Sequence, residues 1–333
     1  MVAGLMTNRR DTPIKHRYVS RRRILAATAG LFVPAAFARE RRADTPNALR
    51  ALESRAGGRL GVCILNAETG RHVGHRMDER FPMCSTFKLP LAAIVLREAD
   101  MGRLRLADTI AFSQKDMVPF APVTGLSLEK GGMTVGALAE AAQVASDNVA
   151  ANLLVRQLGG PAAFTAILRS LGDRTTRLDR FEPMLNLVLP GEVHDTTTPR
   201  AMARTMSGFL TGNLLTKRSR ELLIAWMIAT RTGDKRIRAG LPKEWRAGDK
   251  TGTGMADAMT DKYNDVAIAW PPGGSATIVA AYFDTAVRSA EIHDEDQAVL
   301  AEVGRIATAW ALSLEPSTQK LFEDAFAAPH GRR

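Results

Sequence analysis

The chain has 333 residues, 45% of them apolar, enough to bury a large core in one or two lobes and to exclude general disorder. A formal net charge of +10 points first to nucleic acid, but residues 1–38 hold seven Lys or Arg against one acid, so only +4 remains beyond them. No basic helix face and no alternation of basic with aromatic residues appears there, which argues against a nucleic-acid partner.

Residues 1–38 read as an export signal. A basic start leads to Ser20-Arg21-Arg22-Arg23-Ile24-Leu25 and then to an apolar stretch ending Ala36-Phe37-Ala38. The paired arginines before Ile-Leu resemble a twin-arginine signal, which exports folded protein, and Ala-x-Ala suits cleavage after Ala38. Ile24 to Ala38 is 15 residues, short of the roughly 20 that a membrane span requires. A soluble periplasmic product without stable membrane association is expected.

After the signal, Thr45-Pro46 is expected to start a helix carrying Leu49, Leu52 and Ala56 and closed by Gly57-Gly58. Strands over Leu60 to Leu65 and Arg71 to His75 follow, joined by a turn at Asn66 to Gly70. Helical periodicity then dominates, over 86–99, 134–143, 148–158, 161–171, 200–211 and 217–228. Strand patterns return at Trp245–Thr251, Tyr263–Trp270 and Ala276–Phe283, and Val299, Val303, Ile306, Trp310 and Leu314 mark a last helix. Strands at both ends of the chain therefore bracket a helical middle. This predicts an α+β fold: a five-stranded antiparallel sheet from residues 39–78 and 229–314, flanked by the terminal helices, with residues 79–228 inserted as an all-helical lobe and 315–333 a peripheral tail.

Cys63 and Cys84 are read as two small buried hydrophobes rather than a bridge. His72 and His75 form the only close histidine pair, without a third ligand nearby, so neither a metal site nor another cofactor is expected.

Ser85 and Lys88 lie three residues apart at the mouth of the apolar run Leu89 to Leu96. At helical spacing they share a face, and a lysine buried there has a lowered pKa and can take the serine proton. Two other Ser-x-x-Lys pairs, Ser127 with Lys130 and Ser317 with Lys320, lie in polar surroundings. Pro90 strains a helix opened by Ser85, because the Thr86 carbonyl loses its i+4 donor.

Three further clusters add chemistry. Ser146-Asp147-Asn148 lies between two helix patterns: Ser146 can relay a proton and Asn148 can hold a substrate carbonyl, while Asp147 is equally well an N-cap. Lys250-Thr251-Gly252-Thr253-Gly254 ends a strand pattern, where glycine permits close backbone approach and the cation and hydroxyls suit a carboxylate. Glu182-Pro183 with Asn186, in a long loop running to Asp195, can grip a water between carboxylate and amide.

Together these motifs resemble those of the class A serine β-lactamases, in order and spacing, over residues 45 to 314. The resemblance implies hydrolysis of penicillin- or cephalosporin-type β-lactams through an acyl-enzyme on Ser85. Lys88 is then its proton partner, Ser146 passes the proton to the ring nitrogen, and Glu182 with Asn186 positions the deacylating water. It also implies an oxyanion hole from the Ser85 and Thr253 N–H groups, and carboxylate binding by Lys250, Thr251, Thr253 and Arg236. Phe120 flanks the cleft, Glu182–Pro183 is cis, and Arg180 closes the loop necks through a bidentate pair with Asp195. The implied enzyme is monomeric, with a small-molecule β-lactam as its partner. Phe181, Met184 and the long Met255 to Tyr263 segment depart from the family pattern. A penicillin-binding transpeptidase or carboxypeptidase, or a β-lactam sensor, shares the first three motifs. Only the hydrolase needs Glu182 and Asn186 for rapid water attack.

Overall fold

The computed structural model describes residues 35–289 and 291–314. Most of the expected export signal, and the whole tail from 315, lie outside the described residues.

In chain order the elements are α1 (Ala35–Ala56), β1 (Arg59–Asn66), β2 (His72–His75), β3 (Phe81–Pro82) and α2 (Lys88–Asp100). Next come β4 (Thr109–Ala111), β5 (Gly132–Thr134), α3 (Val135–Val144), α4 (Asn148–Gln157), α5 (Pro161–Ser170), β6 (Thr196–Thr197), α6 (Pro199–Leu210) and α7 (Lys217–Ala229). β7 (Arg246–Gly254), β8 (Lys262–Trp270), β9 (Thr277–Asp284) and α8 (Asp294–Leu312) complete the fold. The main sheet has five antiparallel strands in the order β2-β1-β9-β8-β7. β7 is therefore an edge strand, free to present one side to a ligand.

The sheet is buried on both faces, and the strands sort their side chains with period two. On β9, Ile278, Ala280 and Tyr282 pack with the helices of the middle segment, while Val279, Ala281 and Phe283 face a second core built from Leu49 and Leu52 of α1 and Val299, Leu300, Val303 and Trp310 of α8. β1 alternates likewise, with Cys63 and Leu65 on the first face and Val62 and Ile64 on the second. Apolar residues on both faces explain why these strands read as nearly continuous hydrophobic runs.

The helices begin where the local chemistry supplies caps. Thr134, Asp147, Thr198 and Thr216 each accept a bond from the N–H three residues on, and prolines open α5 and α6. One expected start is corrected: α1 is continuous through Pro46, so Thr45 does not begin it. β7 also extends three residues beyond Thr251, because its pairing with β8 carries Gly252, Thr253 and Gly254 into the ladder although glycine gives no strand pattern.

The chain around Ser85 differs from a simple helix start. Cys84–Phe87 forms a 3₁₀ turn and the α-helix begins only at Lys88. Pro90 is then the third helical residue, where no N–H is needed, and the strain expected there is absent. The 3₁₀ turn eclipses positions i and i+3, which aligns Ser85 with Lys88. Cys63 and Cys84 are free and buried. Among the described residues, no group of three or more His, Cys, Asp or Glu could hold a metal ion.

Candidate active site

Ser85, Ser146, Asn148, Asn186, Arg236, Thr251, Thr253 and Phe120 line one cleft of about 640 Å³ between the edge strand β7 and the helical segment. Lys88, Glu182 and Lys250 lie just beneath its floor, each almost fully buried. Residues scattered over 169 positions of sequence, from Ser85 to Thr253, thus meet in one place.

Lys88 is the hub. Its Nζ donates to Ser85 Oγ at 2.9 Å and to the Ser146 carbonyl at 2.8 Å, meets Asn148 Oδ1, and lies 2.9 Å from Glu182 Oε1. Burial pushes its pKa below the ordinary lysine value, and the Glu182 charge pulls in the opposite direction. A downward shift is the direction that a base for Ser85 requires. Ser85 Oγ also lies 3.3 Å from Glu182 Oε1, and the other carboxylate oxygen accepts from Asn186 Nδ2 at 2.6 Å.

Ser146 stands between the two lysines, with Lys250 Nζ 3.0 Å and Lys88 Nζ 3.5 Å from its Oγ. Its φ of +58° is in the left-handed region, as are those of Cys84 (+45°) and Phe120 (+64°). Non-glycine residues held there carry strain that the surrounding structure must overcome, and three of the five such residues among those described flank this cleft. Asp147 is the N-cap of α4 and also binds the Val123 and Thr124 N–H groups and the Thr124 hydroxyl. It fastens the segment carrying Phe120, whose ring is 59% exposed at the cleft lip. Asn148 Nδ2 donates to the Pro119 carbonyl at 2.8 Å and its Oδ1 accepts from Lys88, so both ends of the amide expected on substrate already have partners within the protein.

On β7, Lys250 points toward the helices and Thr251 and Thr253 to the other face, where Thr253 meets Arg236. Lys250 is fully buried, and burial together with the Lys88 charge pushes its pKa well down. Arg236 donates to the Gly252 and Asn264 carbonyls at 2.8 Å each and to Thr253 Oγ1 at 2.6 Å. Gly252 allows the close backbone approach expected of it, and the backbone that approaches here is the protein's own. A Cβ there would lie 2.8 Å from the Met83 carbonyl and 3.1 Å from the Ser85 nitrogen, so its bareness admits the nucleophile's own turn. Gly252→Ala is expected to displace that turn and lower kcat/KM for a chromogenic cephalosporin by roughly tenfold or more, measured at unchanged helix content by circular dichroism.

The loop carrying Glu182 is held at both ends. The Glu182–Pro183 bond is cis, as expected. The Arg180–Asp195 pair is present, but one expected feature is corrected: only Arg180 Nε binds, at 2.5 Å to Asp195 Oδ2. Asp195 Oδ1 instead accepts the Asp179 and Arg180 backbone N–H groups at 2.7 and 3.0 Å, since a carboxylate enclosed among backbone donors satisfies them before a second guanidinium arm.

The sequence reading missed several groups. Asn152 clamps the Glu182 peptide from both sides, accepting its N–H and donating to its carbonyl at 2.9 Å each. Its signal was an amide one helical turn after Asn148 on an otherwise apolar helix. Thr232 shares a hydroxyl contact of 2.7 Å with Thr251, and Gln297 lies 3.4 Å from Arg236 Nε. Neither has a recognisable sequence signature.

A buried lysine on a serine, a carboxylate and amide facing both, and a cationic edge strand define a serine acyl-transfer hydrolase. The comparisons carry this to a family. A sequence model of the "Beta-lactamase enzyme family" matches residues 45–311. The chain is 46% identical to the β-lactamase L2 of Stenotrophomonas maltophilia over 77% of this chain and 82% of that protein. It is 45% identical to the β-lactamase AST-1 of Nocardia asteroides, over 77% and 80%. Among solved structures it matches an ancestral class A β-lactamase at 52% identity with a TM-score of 0.74, covering 79% of this chain and 98% of that one. The chain belongs to the β-lactamase enzyme family, within class A.

Proposed function

We propose that Ser85 is the nucleophile of a two-step hydrolysis of β-lactams. Neutral Lys88, or Glu182, takes the Ser85 proton as Oγ attacks the lactam carbonyl. The Ser85 and Thr253 N–H groups stabilise the oxyanion, a contribution typically of about 3–4 kcal/mol per donor. Breaking the C–N bond sends a proton through Ser146 to the ring nitrogen. Water held by Glu182 and Asn186 then gives a proton to Glu182, attacks the ester, and restores Ser85 as product leaves. Lys250, Thr251, Thr253 and Arg236 bind the carboxylate of the substrate.

The observation that carries this reading is the position of Glu182: one oxygen faces Ser85 Oγ and the other the Asn186 amide. A transpeptidase or a sensor has no need of that arrangement. Turnover of a chromogenic cephalosporin by hundreds of equivalents, with a transient adduct on Ser85 by mass spectrometry, is the expected result. A single stoichiometric burst would sink the hydrolase reading.

The buried lysines set a pH dependence. Lys250 serves the substrate carboxylate as a cation, and its pKa is lowered from the ordinary 10.5 by burial first and by Lys88 second. Raising the pH therefore removes its charge earlier than for an exposed lysine, and the alkaline limb of kcat/KM should lie below pH 10.5. In Lys250→Arg, whose charge persists, that limb should move up. A limb unmoved by the substitution would assign it to another group.

The mature enzyme is inferred to act in the periplasm as a monomer. The twin-arginine-like segment before Ala38 supports export, and among the described residues no helix is long and apolar enough to cross a membrane. Replacing Arg21 and Arg22 with lysine should trap uncleaved protein in the cytoplasm, checked by fractionation. Light scattering of the mature protein tests the oligomeric state.

A further inference from the structure

We infer that Asn264 is a positioning residue that sets the distance between the nucleophile and the anchor for the substrate carboxylate. The inference rests on the proposed roles of Ser85 and Arg236. Asn264 lies on β8 directly opposite Gly252 of β7, and by the parity of the sheet its side chain points to the face on which the Ser85 turn rests. It is fully buried. Its Nδ2 donates to two successive carbonyls, Pro82 at 2.9 Å and Met83 at 3.1 Å. These are the last residues before Cys84, whose φ of +45° turns the chain into the Ser85 position.

Met83 is where the turn is assembled. Its carbonyl also accepts the Thr86 hydroxyl at 2.7 Å and the Thr86 N–H at 3.2 Å. The bare Gly252 fixes how deeply the turn sits against β7. Asn264, beside it, fixes the turn laterally by holding both carbonyls with one planar amide. The same residue's backbone carbonyl accepts Arg236 Nη1 at 2.8 Å, and Gly252's carbonyl takes that same nitrogen. One residue thus touches the turn carrying the nucleophile with its side chain and the carboxylate anchor with its backbone.

The amide oxygen of Asn264 has no hydrogen-bond partner. A buried unpaired oxygen opposes folding, and packing alone would be served at least as well by leucine of similar size. The pair of donated bonds is what asparagine adds. Small displacements of a reacting group are costly, with an error near 1 Å lowering rates about 100-fold. Loosening the turn should therefore affect the transition state far more than the fold.

The experiment uses Asn264→Leu and counts competent sites by titration with a slowly hydrolysed β-lactam, so that misfolded protein does not count. Two quantities are read per competent site: kcat/KM for a good cephalosporin, and Ki for a boronic acid. The tetrahedral boronate on Ser85 places an oxygen against the Ser85 and Thr253 N–H groups, as the transition state does. Expected is a fall in kcat/KM of about 10- to 100-fold and a rise in Ki by a similar factor, with KM changed far less than kcat. Both quantities within threefold of wild type would overturn the inference and leave Asn264 a packing residue. Should Asn264→Leu give no folded protein, Asn264→Ser is read the same way. Wild-type protein that is acylated without turnover would overturn the hydrolase reading instead, and leave the acylation and boronate comparison able to decide the role of Asn264.

Discussion

Glu182→Ala is expected to leave Ser85 open to acylation but to slow release of the acyl group by about 10²- to 10⁴-fold, the usual contribution of a positioned general base. The asymmetry follows from Lys88. Burial pushes the pKa of Lys88 down and the Glu182 charge and hydrogen bond raise it, so deleting the carboxylate lowers it further and enlarges the neutral fraction. The Lys88 nitrogen lies 2.9 Å from Ser85 Oγ in the structure, and its neutral form can accept the Ser85 proton. Deacylation has no such substitute, since Asn186 Nδ2 loses the Glu182 oxygen that completes the water's cradle. A burst of one equivalent of chromophore, then a slow steady state and a persistent Ser85 adduct, is the signature. Unchanged steady-state turnover would remove Glu182 from the deacylation step.

Asp195→Asn should be the most damaging single change outside the cleft. The side chain is fully buried, its φ of +54° is one that asparagine adopts as readily as aspartate, and so the substitution tests charge rather than backbone. It removes the nearer of the two carboxylates on Arg180, Glu192 lying at 3.7 Å, and leaves only one amide oxygen where Asp179 N–H, Arg180 N–H and Arg180 Nε all now bond. Stranding one partner of a fully buried pair costs about 3–5 kcal/mol. Arg180 keeps 27% of its side chain exposed, which reduces the expected loss to about 2–3 kcal/mol, or a fall in Tm of roughly 5–10 °C. The Asp195 carbonyl also accepts the Met83 N–H at 3.0 Å, so loosening the loop neck reaches the nucleophile turn. Slower deacylation of small penicillins and relatively better turnover of bulky cephalosporins should accompany the lost stability. A variant with wild-type Tm and deacylation rate would show that the pair does not hold the loop.

Neither consequence could have been calculated before the geometry was known, although most of the residues involved could be named. Ser85, Lys88, Ser146, Glu182 and Lys250 stood out because each lies in a short motif whose spacing carries meaning on one helical turn or strand end. Asn152 and Asn264 did not, because each is a lone amide whose partners are 30 and about 180 residues away.

The sequence by itself determined the α+β class and the bracketing of helices by strands, because apolar periodicity is a local property that burial of a face enforces. It also determined the Asp147 cap, the two unpaired cysteines, and the motif residues that meet at one cleft. Only the tertiary structure decided that Ser85 sits in a 3₁₀ turn ahead of the helix, that α1 runs through Pro46, that Asp195 binds backbone with its second oxygen, and that Gly252 is bare for the sake of Met83 and Ser85. These are matters of register between segments remote in sequence. A one-residue shift of β7 against β8 would put Lys250 on the face opposite Asn264 while changing no local pattern along either strand.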